Sequence, residues 1–163
     1  MEGSEIDDLL ERTRETFERP PKNVETGLDV SSPTMLQLRK ACRLLVAANT
    51  LVGRNGYYTV VIEASFGAIE RTIQFHLLEN EFLHADEFVD HRAVYERGYE
   101  SGLYDEGFRE KLIGLWRNNR SRTYYREGVG SERRAETLLQ LAEAIHDHVL
   151  QLDGRVHDCI CSE

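Results

Sequence analysis

Apolar residues recur at spacings of three and four along most of this chain, and alternation with a spacing of two is rare. An α-helix turns once per ~3.6 residues, so that spacing gathers apolar side chains on one face. Ile6, Leu9, Leu10, Thr13 and Phe17 trace a short amphipathic helix over 6–17, which Pro20 and Pro21 stop. The polar stretch 22–31 reads as a linker, with the first helix an appendage laid on the main domain. Ser32 followed by Pro33 is a strong helix start, a side-chain cap with proline at the first helical position. Met35, Leu38, Ala41, Leu45, Ala48 and Val52 carry the stripe to a GRNG turn at 53–56. A second long helix is expected over 57–80, facing inward with Val60, Val61, Ala64, Ala68, Ile69, Ile73 and Leu77. Its small residues Ala64, Ser65, Gly67 and Ala68 permit a close neighbour, and two long helices joined by a short turn pack antiparallel.

Beyond a polar connection at 81–87, a shorter helix is expected over 88–99, broken by Ser101 and Gly102. The next starts at Tyr104 or Asp105, turns Phe108, Leu112, Leu115 and Trp116 inward, and runs to about Tyr125. After a turn at 127–130, Ser131 caps a last helix carrying Ala135, Leu138, Leu139, Ala142, Ile145, Val149 and Leu152, and Gly154 ends it. TVVIEA at 59–64 imitates a strand but lies inside a helical stripe. The expected fold is all-α, an antiparallel up-and-down bundle of four to five core helices over 32–153. A helix and linker at 1–31 precede it and a flexible tail at 154–163 follows.

Composition narrows the class. With 163 residues, 40% hydrophobic and 30% charged, the chain can bury one core without disulfides or metal. No apolar run approaches the ~18 residues of a membrane span. The start, MEGSEIDDLLERTRE, is acidic and lacks the basic-then-apolar layout of a secretory signal, so a cytoplasmic location is expected. A net charge of -9 argues against a general nucleic-acid-coating protein. Lys22, Lys40 and Lys111 are the only lysines. An acidic, lysine-poor surface suits the salt-rich cytoplasm of a halophilic archaeon, although GC-rich coding would also exchange Lys for Arg.

Against that charge, WRNNRSRTYY at 116–125 stands out. On a helix Arg117, Arg120, Ser121 and Tyr124 share one edge, and Asn118, Arg122 and Tyr125 form the next. Three arginines occur here with no acid before Glu127. Such a reversal of charge points to an anionic partner, most simply a phosphate of RNA or a nucleotide. The competing reading pairs these arginines with acids on neighbouring helices, Arg117 in particular with an acid of the second long helix such as Glu63 or Glu70. Trp116 lies with Leu112 and Leu115 and reads as packing. Tyr57, Tyr58, Tyr124 and Tyr125 read as helix-end packing in the same way.

Cysteine and histidine give little by themselves. Cys42 falls in a helix interior and Cys159 and Cys161 in the tail, an odd count that is no disulfide framework. His157, Cys159 and Cys161 alternate, but a structural zinc site takes four ligands, usually from two separated pairs. No second pair is visible, so no metal and no cofactor are expected. His84 and His91 read as surface, and His146 and His148 as structural or solvated.

Two passages carry a family resemblance: YYTVVIEASFGAIERTIQFHLLEN at 57–80 and LWRNNRSRTYYREGVGSERRAETLLQLAEAIHDHV at 115–149. They resemble the second long helix and the hallmark segment of the HEPN superfamily, small helical domains of prokaryotic toxins, RNA-processing enzymes and nucleotidyltransferase-associated proteins. The likeness spans about 33–152. It implies a two-fold homodimer with a site across the interface, RNA as substrate, a nucleotidyltransferase-type partner and metal-independent endoribonuclease chemistry. Ribonucleases of that family place a His four to six residues after an Arg. Setting the family's Arg-Asn pair on Arg117 and Asn118 brings Arg122, Thr123 or Tyr124 to the His position, and no His lies between 117 and 125. Arginine cannot serve as a base, and tyrosine, with a pKa of ~10, is a poor one.

The resemblance therefore implies a binding role with catalysis lost or altered. Arg117 and Tyr124 occupy its catalytic positions, and Asn118, Arg120, Ser121, Arg122 and Tyr125 are the expected phosphate contacts. The alternatives are an active toxin ribonuclease neutralised by a nucleotidyltransferase-type partner, and a purely structural dimeric interaction module.

Overall fold

The computed structural model describes residues 3–120 and 128–162. Among these residues the chain forms six α-helices and no strand: α1 (Gly3–Glu18), α2 (Pro33–Val52), α3 (Tyr58–Glu79), α4 (His91–Glu100), α5 (Glu106–Asn119) and α6 (Glu132–Leu152). A 3-10 turn, Val156–Asp158, follows α6. No described helix is long and apolar enough to cross a membrane.

The caps explain where the helices begin. Ser32 Oγ accepts from the Met35 amide at 3.2 Å, with Pro33 at the first helical position, so α2 starts as its sequence expects. Asp90 Oδ1 accepts from the Ala93 amide at 2.8 Å. That cap starts α4 at His91, three residues later than the apolar pattern suggested, and leaves Phe88 93% exposed outside the helix. Asp105 caps α5 in the same way, accepting from Phe108 at 2.8 Å.

Helix α3 is the centre of the molecule. It packs against α2, α4 and α6 and buries residues around most of its circumference, among them Val61, Phe66, Ile69, Ile73, Phe75 and Leu77. Gly67 is one reason α2 lies so close, because a Cβ there would stand 3.2 Å from Leu44 Cδ1. Gly130 makes a second close approach, where a Cβ would meet the Thr59 amide nitrogen at 2.5 Å. Its own amide donates to Thr59 Oγ1 at 3.2 Å and ties the start of α6 to the start of α3. Trp116 packs against the core, its ring 6.1 Å from that of Tyr95, as the stripe on its helix predicts.

Two segments differ from expectation. Helix α1 buries none of its residues, and Ile6, Leu9, Leu10 and Phe17 are exposed rather than laid on the bundle. Ion pairs within the helix, Arg14 with Glu18 at 3.0 Å and with Glu11, help support it locally. The C-terminal tail, expected to be flexible, folds back. Gly154 adopts φ +67, a left-handed conformation suited to glycine, and reverses the chain. Arg155 Nη2 then pairs with Glu79 at 2.6 Å, and Ile160 enters the core at 4% exposure.

Candidate functional site

Among the described residues, chemistry-bearing side chains gather at a cleft beside α3 and α4 and again where the tail meets α2 and α6.

Glu70 organises the first. Its side chain is 7% exposed, and desolvating a carboxylate costs several kcal/mol unless donors surround it. Three do. Arg120 Nη1 donates to Oε1 at 2.6 Å, the Tyr95 hydroxyl donates to the same oxygen at 2.9 Å, and His91 Nδ1 lies 2.6 Å from Oε2. Arg120 Nε also stands 3.5 Å from Glu63 Oε2, and the guanidinium lies 6.0 Å from the Phe66 ring centre. Burial, reinforced by the charge of Glu70, raises the Tyr95 hydroxyl far above its ordinary pKa, so it remains a donor. The cleft beside this cluster measures about 770 Å³ and is lined by Gln37, Glu63, Arg71, Gln74, His91 and Arg120 among others. His91 reaches it from the first residue of α4 with its side chain 60% exposed.

The arginine segment is thus divided. Among the described residues of that segment, Arg120 lies in the cleft, where Glu70 and Glu63 pair with it; the sequence reading sets these acids against Arg117 instead. Arg117 and Asn118 are exposed near the end of α5. Arg117 lines a separate recess of about 270 Å³ with Arg92, Glu96, Arg109 and Glu110. Ser121, Arg122, Tyr124 and Tyr125 lie outside the described residues. His91, read as surface from the sequence, joins Arg120 through their shared carboxylate. The signal was faint: Asp90 before it marks a helix cap, and a residue at a helix start faces whatever the preceding loop leaves open.

Where the sequence led no metal site to be expected, the second cluster gathers four side chains of metal-ligating type. The tail offers Cys159 and Cys161, and the remaining ligands come from far away in sequence: Cys42 of α2 and His146 of α6. All four ligand atoms lie within 4.8 Å of one another. Each of the three sulfurs stands 3.6 Å from His146 Nε2, and Cys42 Sγ is 3.9 Å from Cys159 Sγ. Cys42 and His146 are buried, and the two tail cysteines half-buried. His157, which alternates with them in sequence, is exposed outside the cluster, and so is His148. The reversal at Gly154 is what carries the tail back to helices that its own spacing could not reveal.

Around the sulfurs the protonation pattern is uneven. A hydrogen bond from Cys161, with a smaller contribution from His146, holds Cys42 well below the usual thiol range, at about 4. The same bond, together with burial, pushes Cys161 up, and burial raises Cys159. Thiols this close ionise at one another's expense unless a cation is shared among them.

Neither the comparison with curated proteins nor that with solved structures returns a match. A family model described as "Domain of unknown function (DUF8154)" matches residues 1–161, and the chain belongs to that family.

Proposed function

We propose that this chain is an HEPN-like up-and-down helical domain that binds a phosphate-bearing ligand, RNA or a nucleotide, in the cleft beside α3 and α4. The observation that carries the reading is that one buried carboxylate, Glu70, holds both Arg120 and His91 at 2.6 Å beside a cleft of about 770 Å³. A guanidinium held by a carboxylate is oriented in advance for a phosphate. An incoming phosphate competes with Glu63, whose 3.5 Å contact is the longer of the two, while Glu70 keeps its hold. Cleavage at a 2′-hydroxyl also needs a group that moves a proton. His91, oriented through Nδ1 by Glu70, is the imidazole available there, on a different helix from the one where the resemblance looks for it. The chemistry, if expressed, is therefore altered from the family pattern.

The test is binding of labelled single-stranded RNA and of a nucleoside triphosphate at low and high salt. Arg120→Gln is expected to weaken binding at least about tenfold, equivalent to about 1.4 kcal/mol, with helical circular dichroism retained. His91→Ala is expected to keep binding and lose any RNA turnover. Wild-type protein that binds neither ligand at low salt would overturn the reading.

A second reading, a dimeric interaction module, draws on α1. Its face of Ile6, Leu9, Leu10 and Phe17 is exposed, which is the state expected of a helix that pairs with a second copy of this chain.

A further inference from the structure

We propose that Cys42, His146, Cys159 and Cys161 are the four ligands of one tetrahedral zinc ion that fastens the C-terminal tail to α2 and α6. Geometry is the first argument. Zinc binds thiolate sulfur at ~2.3 Å and imidazole nitrogen at ~2.0–2.1 Å, so a tetrahedral site has sulfur-to-sulfur edges of ~3.8 Å and sulfur-to-nitrogen edges of ~3.6 Å. The observed sulfur-to-nitrogen edges are all 3.6 Å and the Cys42–Cys159 edge is 3.9 Å. A thiol packed against a neighbour for other reasons has no cause to keep three equal distances to one ring nitrogen.

The surroundings are built for the same purpose. Metal-bound histidines use their other ring nitrogen to hold a fixed orientation. Here Thr72 Oγ1 lies 3.1 Å from Nδ1, which leaves Nε2 to face the sulfurs. The Cys161 amide donates to Cys159 Sγ at 3.4 Å, as amides do around metal thiolates. No ligand position is left over. Four protein ligands close a tetrahedron, and two of them are buried, which makes the centre structural rather than catalytic. Three thiolates and an imidazole are soft donors that suit zinc and exclude calcium and magnesium, which take oxygen. Paired disulfides do not account for three cysteines equidistant from one histidine.

The ion has a clear mechanical consequence. Cys42 is 104 residues from His146 and 117 from Cys159, so the centre closes a long loop of the chain. It seals the end of the bundle where Ile160 presses against Gly27 of the linker, and so joins the linker, the tail and the two helices. None of its residues belongs to the Glu70 cleft, so the two proposals stand apart.

The experiment uses the full chain, purified under reducing conditions and loaded with zinc, with metal counted by elemental mass spectrometry. About one zinc per chain is expected. Cobalt(II) in its place is expected to give the strong visible bands of a tetrahedral thiolate site. Cys161→Ser, Cys159→Ser and Cys42→Ser should each lose most of the metal to a chelator that leaves the wild type loaded. His146→Cys should keep the metal and shift the cobalt bands toward an all-thiolate pattern, which tests the ligand set without removing the fold's support. His157→Ala should change neither stoichiometry nor spectrum. The proposal is overturned if the reconstituted wild type holds no zinc, if His157→Ala loses it, or if the three serine variants keep wild-type stoichiometry and bands.

Discussion

Thr72 Oγ1 stands 3.1 Å from His146 Nδ1, both side chains buried between α3 and α6, and this one contact decides which ring nitrogen meets the three thiols. A threonine in a helix interior commonly bonds only to its own backbone. Here the hydroxyl orients His146, and an isosteric change separates that role from packing. Thr72→Val keeps the volume and removes the hydroxyl. Its zinc affinity is expected to fall about 10- to 100-fold, the usual consequence of losing such a partner, in competition with a chromogenic chelator. Equal affinities in wild type and variant would show that the hydroxyl does not set the ring.

The helices themselves were written plainly in the chain, because helix formation is local: a cap such as Ser32 and a stripe such as Leu38, Ala41, Leu45 and Ala48 lie within a few turns. The metal ligands were not, because their proximity depends on tertiary contacts. Cys42 and His146 both occupy buried positions, beside Ala41 and Leu45 on α2 and between Ala142 and Val149 on α6, where the first reads as an ordinary helix-interior residue and the second as structural or solvated. A charged or polar residue on a buried stripe was the usable signal, and a Cys-x-Cys tail with no partner of its own was the other half of it. Arg120 fell between these cases. Its cationic segment was visible, but which arginine would enter the cleft depended on where α5 meets α3, which spacing does not determine.

Glu70 should be the most costly charged residue to remove. Its loss strands the Arg120 guanidinium, the Tyr95 hydroxyl and His91 at once. Glu70→Ala is expected to destabilise the fold by about 3–5 kcal/mol in urea unfolding, the range for breaking a buried ion pair. His91→Ala should cost less than about 1 kcal/mol, because that side chain is 60% exposed and its half of the interaction is screened. Comparable losses in the two variants would mean that Glu70 is not the centre of the network.

The alkaline limb of stability should report on Tyr95. In the unfolded chain a tyrosine ionises near pH ~10, whereas burial first and the charge of Glu70 next hold the folded Tyr95 protonated far above that. Tyr104 is shifted in the same direction, by burial and then by Glu96. A folded pKa raised above the unfolded one means that the native state binds more protons, so the contribution is complete below pH ~10 and is lost as pH climbs beyond it. Urea midpoints measured from pH ~9 to ~11 should therefore fall more steeply for the wild type than for Tyr95→Phe with Tyr104→Phe. The double variant should start lower at neutral pH, by about 1 kcal/mol for each hydrogen bond removed. Parallel slopes would exclude these hydroxyls as the cause.

Helix α1 offers the sharpest separation of stability from association. None of its residues is buried, so the bundle draws little packing from it, and removing residues 1–19 should leave the unfolding free energy measured in urea within about 0.5 kcal/mol of the full chain. Yet Ile6, Leu9, Leu10 and Phe17 remain exposed on one side of a helix that otherwise carries mainly charge, and water penalises that arrangement unless something covers it. A second copy supplies an identical face, and two-fold pairing is the simplest closed assembly. Light scattering at micromolar concentration should give twice the chain mass for the full protein and the single mass for the truncated one. Leu10→Asp, which places a charge in the middle of the stripe, should reproduce the truncated result while leaving the helical signal intact. A full-length monomer would remove α1 from the interface, and a dimer that survives truncation would place the interface on the bundle instead.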